Sequence, residues 1–190
     1  MTGSTAAQDE HRHWVFGYGS LIYKVDFPYL RRETASITGW SRRFWQGSHD
    51  HRGTPEEPGR VVTLVPAPTT RCLGMAYQVE HEVFEHLDHR EKNGYQRHEV
   101  TAQLHASDTR VLTTMYVAST DNHAFLGPAD PDTMAAHIAR AHGPSGSNRD
   151  YLLRLAKALE SLGDNDPHVF DLARRVQQLT SMSEANSTEP

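Results

Sequence analysis

The order of elements predicts an α+β fold: a closed or strongly curved sheet with helices packed on it. Three observations lead there. Candidate strands fill the first half of the 190 residues and helical periodicity fills the second. The regular strand and helix alternation of a doubly wound parallel sheet is missing. One strand, Cys72 to Val79, alternates bulky Leu73, Met75, Tyr77 and Val79 with slim Gly74, Ala76 and Gln78, a pattern suited to closing around a small cavity. The length favours one domain. It is read as residues 13–180, between a polar flexible N-terminus, 1–12, and a flexible C-terminal tail, 181–190.

Taken in order, apolar and β-branched runs predict strands at Trp14 to Tyr18, Ser36 to Gln46, Arg60 to Pro66 and Cys72 to Val79. A short helix follows over His81 to His89, with Val83, Phe84 and Leu87 on one side. Two more strands, His98 to His105 and Arg110 to Val117, flank Ala106, Ser107, Asp108 and Thr109 and predict a hairpin. A second helix starts after Asp130, an N-cap preceding Pro131, and stops by Gly143 and Pro144. The third runs from Asn148 to Leu162, burying Tyr151, Leu152, Leu155, Leu159 and Leu162. The fourth begins at Asp166 and Pro167 and buries Val169, Leu172, Val176 and Leu179.

Composition narrows the function. With 37% hydrophobic and 23% charged residues the chain can build a core, and its formal charge of −5 offers nucleic acid no general attraction. The single cysteine, Cys72, rules out an internal disulfide framework and reads as a small core residue; a reducing cytoplasm is the expected address. No apolar run reaches the roughly 20 residues of a membrane span. Thirteen histidines invite a metal, but His86 with His89 and His49 with His51 lack a third ligand at a metal-binding spacing, so no metal is expected.

Two segments can carry chemistry. Val15-Phe16-Gly17-Tyr18-Gly19-Ser20-Leu21 is an apolar strand running into glycines and a serine. Glycines there allow positive φ and close backbone approach, so it reads either as a tight turn alone or as a nest of N–H groups for a carboxylate. Ser20 is not set in a nucleophile elbow, since Ile22 stands where that motif has glycine. In Asp88-His89-Arg90-Glu91-Lys92-Asn93-Gly94-Tyr95, Asn93 and Gly94 suit a left-handed helix end and leave Glu91 near the last turn. A carboxylate there opposes the helix dipole, which favours a proton-transfer group if it is buried; the other reading is a solvated charge cluster. Arg42, Arg43, Arg52 and Arg60 form a basic run that either attracts an anionic small molecule or is solvated. Gly143 to Arg149 lacks the Lys-Ser/Thr of a phosphate loop and reads as a turn before a helix cap.

Trp14 to Ile22 followed by Lys24-Val25-Asp26-Phe27-Pro28-Tyr29 resembles the start of the ChaC branch of the γ-glutamylcyclotransferases. The resemblance continues through Ser41 to Ser48, Asp50 to Gly53, Pro58 to Leu64, Arg90 to Tyr95, Asp121-Asn122 and Gly143 to Gly146 with Asn148, covering about Trp14 to Leu179. It implies a small mixed closed sheet, barrel-like with flanking helices, no cofactor, and cleavage of reduced glutathione to 5-oxoproline and cysteinylglycine. It carries the catalytic glutamate onto Glu91 and the γ-glutamyl-binding turn onto Tyr18, Gly19, Ser20 and Leu21, supported by Val15, Phe16 and Gly17. Weaker assignments are Glu82, Tyr116 lining the site, and Arg42 or Arg52 for the distal carboxylate. The alternatives are a cyclotransferase for other γ-glutamyl amino acids or amines, and a non-catalytic regulator of a cation transporter. The expected partner is the small-molecule substrate, with no nucleic acid and no membrane; nothing in the sequence names a protein partner.

Overall fold

The computed structural model describes residues 12–91 and 94–187. The described residues gather into two compact units, one from the ranges 12–41 and 66–119 and the other from 42–65 and 120–187. Five strands form a closed barrel in the order β1-β3-β2-β4-β5, where β1 is Arg12–Gly17, β2 Arg31–Ser48, β3 Gly59–Glu80, β4 Tyr95–Leu104 and β5 Thr109–Ala118. β1 lies antiparallel to the end of β3, Arg12 opposite Glu80 and Gly17 opposite Met75, and parallel to β5 at Val15 and Thr114. The sheet is therefore mixed, and Val15 and Phe16 are buried in it, while Arg12 at the start of β1 is exposed.

β4 and β5 form the expected hairpin, closing from Leu104 to Thr109 with Asp108 at φ 52°. Asp is among the few residues that tolerate this conformation. The strands expected at Arg60 to Pro66 and Cys72 to Val79 are instead one strand, β3. Pro66 and Pro68 fit within it because they lie two residues apart, so both remove an N–H from the same edge, and both are exposed. The alternation of bulky and slim residues does not separate an inside from an outside, since Cys72 to Tyr77 are buried without interruption.

Helix α1, His81–Arg90, follows β3 directly and buries Phe84 and Leu87, one turn apart. Glu82 in its first turn and His89 and Arg90 in its last suit the helix dipole. Gly94 takes φ 86°, as a chain leaving a helix requires. The accompanying expectation for Asn93 lies outside the described residues, as do residues 1–11 of the N-terminus and 188–190 of the tail.

In the second unit, α2 (Pro131–Arg140) is capped by Asp130, whose side chain accepts from Thr133 N–H at 3.0 Å. His142–Gly143 and Gly146–Ser147 pair as short strands β6 and β7. Ser147 then caps α3 (Asn148–Ser161), accepting from Asp150 N–H. In α4 (Pro167–Ser187) Asp166 accepts from the N–H groups of His168 and Val169. Leu152, Leu155, Leu159, Val169, Leu172 and Val176 are buried as the periodicity predicts. Leu179, expected in that stripe, is 40% exposed, because α4 outruns its packing partners; the helix continues through the segment read as a tail, with Ser181 to Ser187 exposed.

Candidate active site

β1 delivers Tyr18 to a short 3-10 turn over Ser20–Ile22. Ile22 N–H donates to Gly19 O at 3.0 Å, and Tyr23 and Lys24 N–H both donate to Ser20 O. Donation inside the turn starts at Ile22, so the N–H groups of Ser20 and Leu21 sit at its opening, where helix starts leave donors without an intrahelical partner. Neither Gly17 nor Gly19 uses positive φ; Gly19 has φ −126°. What Gly17 supplies is room: a Cβ there would lie 2.7 Å from Leu21 Cβ. Gly74 does the same across the ladder, where a Cβ would stand 2.3 Å from Gly17 O. Gly17 thus leaves room for the Leu21 side chain, and Gly74 for the Gly17 backbone, under the turn.

Two tyrosines hold this turn. The Tyr77 hydroxyl donates to Leu21 O and the Tyr18 hydroxyl to the carbonyl of Tyr116 on β5. Burial pushes the Tyr77 phenol up to about 12, so it stays a neutral donor. Tyr116 is 8% exposed, and its own hydroxyl is buried without a hydrogen bond of normal geometry, although Asp88 stands beside it. Burial, first, and then the charge of Asp88 raise the Tyr116 phenol, the charge of Glu91 adding to the effect while Arg97 opposes it. Tyr116 is the cross-strand partner of Arg97, which reaches Asp88 at 3.5 Å and lies over the Phe84 ring.

Glu91 is the C-cap of α1; its N–H donates to Leu87 O at 3.0 Å and its side chain is 28% exposed. Arg90 Nε lies 3.7 Å from Glu91 Oε1, while Arg90 Nη1 donates to both Asp26 oxygens at 2.9 and 2.8 Å. The first unit therefore brings together the Tyr18–Leu21 turn, Tyr116 and Glu91. Glu82 is exposed in the first turn of α1, at the opposite end of the helix from Glu91.

Arg42 and Arg52 belong to the second unit, and each has partners there. Arg42 is 1% exposed and donates to Asp166 at 2.6 Å and Asp164 at 3.5 Å. Arg52 donates to Ser147 O at 3.1 Å, lies 3.5 Å from Asp150 and stacks over Tyr151. These contacts account for both side chains without a substrate. Arg60, in the same basic run, is buried and donates to the carbonyls of Phe44 and Gly127. Sequence reasoning missed Tyr77, Asp88 and the Asp26–Arg90 pair. Asp88 could have been found one helical turn before Glu91; the others depend on register and loop path. Among the described residues no cluster of three or more His, Cys, Asp or Glu is arranged to hold a metal ion.

A family model described as ChaC-like protein matches residues 13–179. The chain belongs to the ChaC-like family. Among curated ChaC-like relatives, the Arabidopsis thaliana γ-glutamylcyclotransferase 2-3 is 46% identical over 90% of this chain and 92% of its own length. The glutathione-specific γ-glutamylcyclotransferase of Saccharomyces cerevisiae is 41% identical, with 78% and 86% covered. The crystal structure of a yeast γ-glutamyl cyclotransferase specific to glutathione superposes with TM-score 0.81 at 36% identity, covering 88% of this chain and 96% of that one. No helix among the described residues of this ChaC-like chain is long and apolar enough to cross a membrane.

Proposed function

We propose that this chain is a glutathione-specific γ-glutamylcyclotransferase, releasing 5-oxoproline and cysteinylglycine. The observation that carries the reading is the double role of Tyr116: its carbonyl receives Tyr18 from the turn, and its hydroxyl stands in the field of Asp88 and Glu91. A substrate with its γ-glutamyl end on the turn then has a carboxylate and a neutral phenol within the same unit. The identities to γ-glutamylcyclotransferases over most of the chain support the same chemistry.

The reaction is intramolecular. The substrate's α-amine attacks its own γ-carbonyl, a five-membered lactam forms, and the bond to the cysteinyl nitrogen breaks. Glu91 takes the proton from the α-ammonium and returns one to the leaving nitrogen. Backbone N–H groups of the Gly17 to Leu21 stretch hold the α-carboxylate and aid the developing oxyanion, and Tyr116, kept protonated by its burial, adds a donor. The chemistry needs no cofactor. Arg42 and Arg52, the two arginines considered for the distal carboxylate, are each held by partners within the second unit. A reducing cytoplasm suits a chain whose one cysteine is buried.

The test is to incubate the purified protein with glutathione and, separately, with γ-glutamylalanine, and to quantify 5-oxoproline by mass spectrometry. Release from glutathione alone is expected. Equal release from both removes the specificity, and release from neither removes the cyclotransferase.

A further inference from the structure

We propose that Asp26 and Arg90 are positioning residues for the reaction: Asp26 fixes the Arg90 guanidinium, and the guanidinium orients the Glu91 carboxylate toward the substrate bound at the turn. The proposal rests on the cyclotransferase reading and names what aims its proton-transfer group.

Glu91 occupies a weak place to hold a reacting atom. It is the cap residue of α1, and helix ends fray. Successive helical side chains do not face one another, so Arg90 meets Glu91 only by folding its head back along the helix end. That head is held from outside the helix, by two bonds of 2.8 and 2.9 Å to the Asp26 carboxylate. From there the Nε edge lies 3.7 Å from Glu91 Oε1.

Asp26 is itself tied to the substrate turn. Its neighbour Phe27 is buried and meets the Tyr77 ring edge-on at 5.5 Å, and Tyr77 is the residue whose hydroxyl holds Leu21 O. One loop therefore couples the turn, through Phe27 and Tyr77, to the carboxylate, through Asp26 and Arg90. The Asp26 carboxyl is held below its ordinary value chiefly by the hydrogen bond from Arg90, so the clamp is charged across the neutral range.

Exposure separates this role from a structural one. Arg90 is 38% and Asp26 56% exposed, and ion pairs of that kind contribute little to stability. Orientation of a reacting group, by contrast, is felt strongly in rate. We therefore expect Asp26→Asn and Arg90→Met each to lower kcat about 10-fold, with KM within about 2-fold of wild type and an unchanged melting temperature. Because the two residues act in series, the double variant should be no slower than the slower single. Arg90→Lys, which keeps the charge but not the fork, should recover only part of the loss.

Wild-type kcat in either single variant, multiplied losses in the double, or a raised KM at constant kcat overturns the proposal; the last would make Arg90 a substrate contact. Glu91→Gln is assayed alongside. If it is as active as wild type, or wild type yields no 5-oxoproline, the cyclotransferase reading itself falls and takes this proposal with it.

Discussion

In the second unit Arg42, Arg52 and Arg60 are buried against carboxylates and carbonyls, while in the first unit Arg90 and Asp26 meet in partial exposure beside Glu91. The buried cluster joins strand residues to the starts of helices: Arg42 reaches Asp166, which also caps α4, and His168 accepts the Phe44 N–H at 3.0 Å. Desolvation is costly there, and each partner is required by the next. Beside Glu91 the Arg90 guanidinium stands 3.7 Å away, and the nearby Tyr116 hydroxyl has no hydrogen bond of normal geometry. The same residue types thus serve stability in one unit and stay available for chemistry in the other. Removing a charge should therefore affect folding in one place and rate in the other.

The largest effect is expected from crossing the two. Arg42→Ala leaves Asp164 and Asp166 facing each other with little solvent, and should cost about 3–5 kcal/mol in urea unfolding. Glu91→Gln should leave the unfolding midpoint unchanged and lower turnover at least about 10²-fold. If Arg42→Ala alters only the glutathione preference, or Glu91→Gln only stability, the division between the units is wrong.

Acid should sharpen the contrast next. Burial, with the Arg43 charge adding to it, pulls His168 from 6.5 to about 4. Between those values the unfolded chain binds a proton that the folded one does not, so stability falls as pH drops from 6.5 toward 4 and levels off below. The loss should be on the order of 2–3 kcal/mol, and His168→Gln should flatten it. Urea midpoints at pH 7 and pH 4.5 that coincide in wild type would remove His168 from the buried cluster.

Smaller again, Tyr116→Phe removes one donor and no packing, so kcat should fall about 10-fold while the melting temperature holds or rises. Unchanged kcat would leave Tyr116 as core only. The smallest effect is expected from dialysis against a chelator, after which glutathione turnover should be as before; loss restored by one divalent ion would bring a metal back into the site.

Legibility followed the range of the interactions involved. Asp130 as a cap, a capped helix start within Gly143 to Arg149, the β4–β5 hairpin and the helical end near Glu91 are set by neighbours in sequence, and all were readable. The turn's glycines were readable in place but not in reason, since Gly17 answers to Leu21 and Gly74 to Gly17 O across the ladder. The burial of Arg42 was hidden because its partners Asp164 and Asp166 lie far along the chain. The basic run looked like a surface feature for the same reason. Phe27, Tyr77 and Asp26 could be connected only once the loop's path was known.

The parallel pairing of Val15 with Thr114 has a consequence for synthesis. β1 leaves the ribosome before β3 and β5, yet its partners are residues 75–80 and then Thr114. At about 5–20 residues per second, its apolar edge waits roughly 5–20 s for the second of them. During that interval Val15 and Phe16 have no native ladder on that side, and unpaired apolar strands are templates for association. Nascent chains stalled before β5 should therefore be captured by chaperones or aggregate, and chains released with both units in place should be far less prone to either.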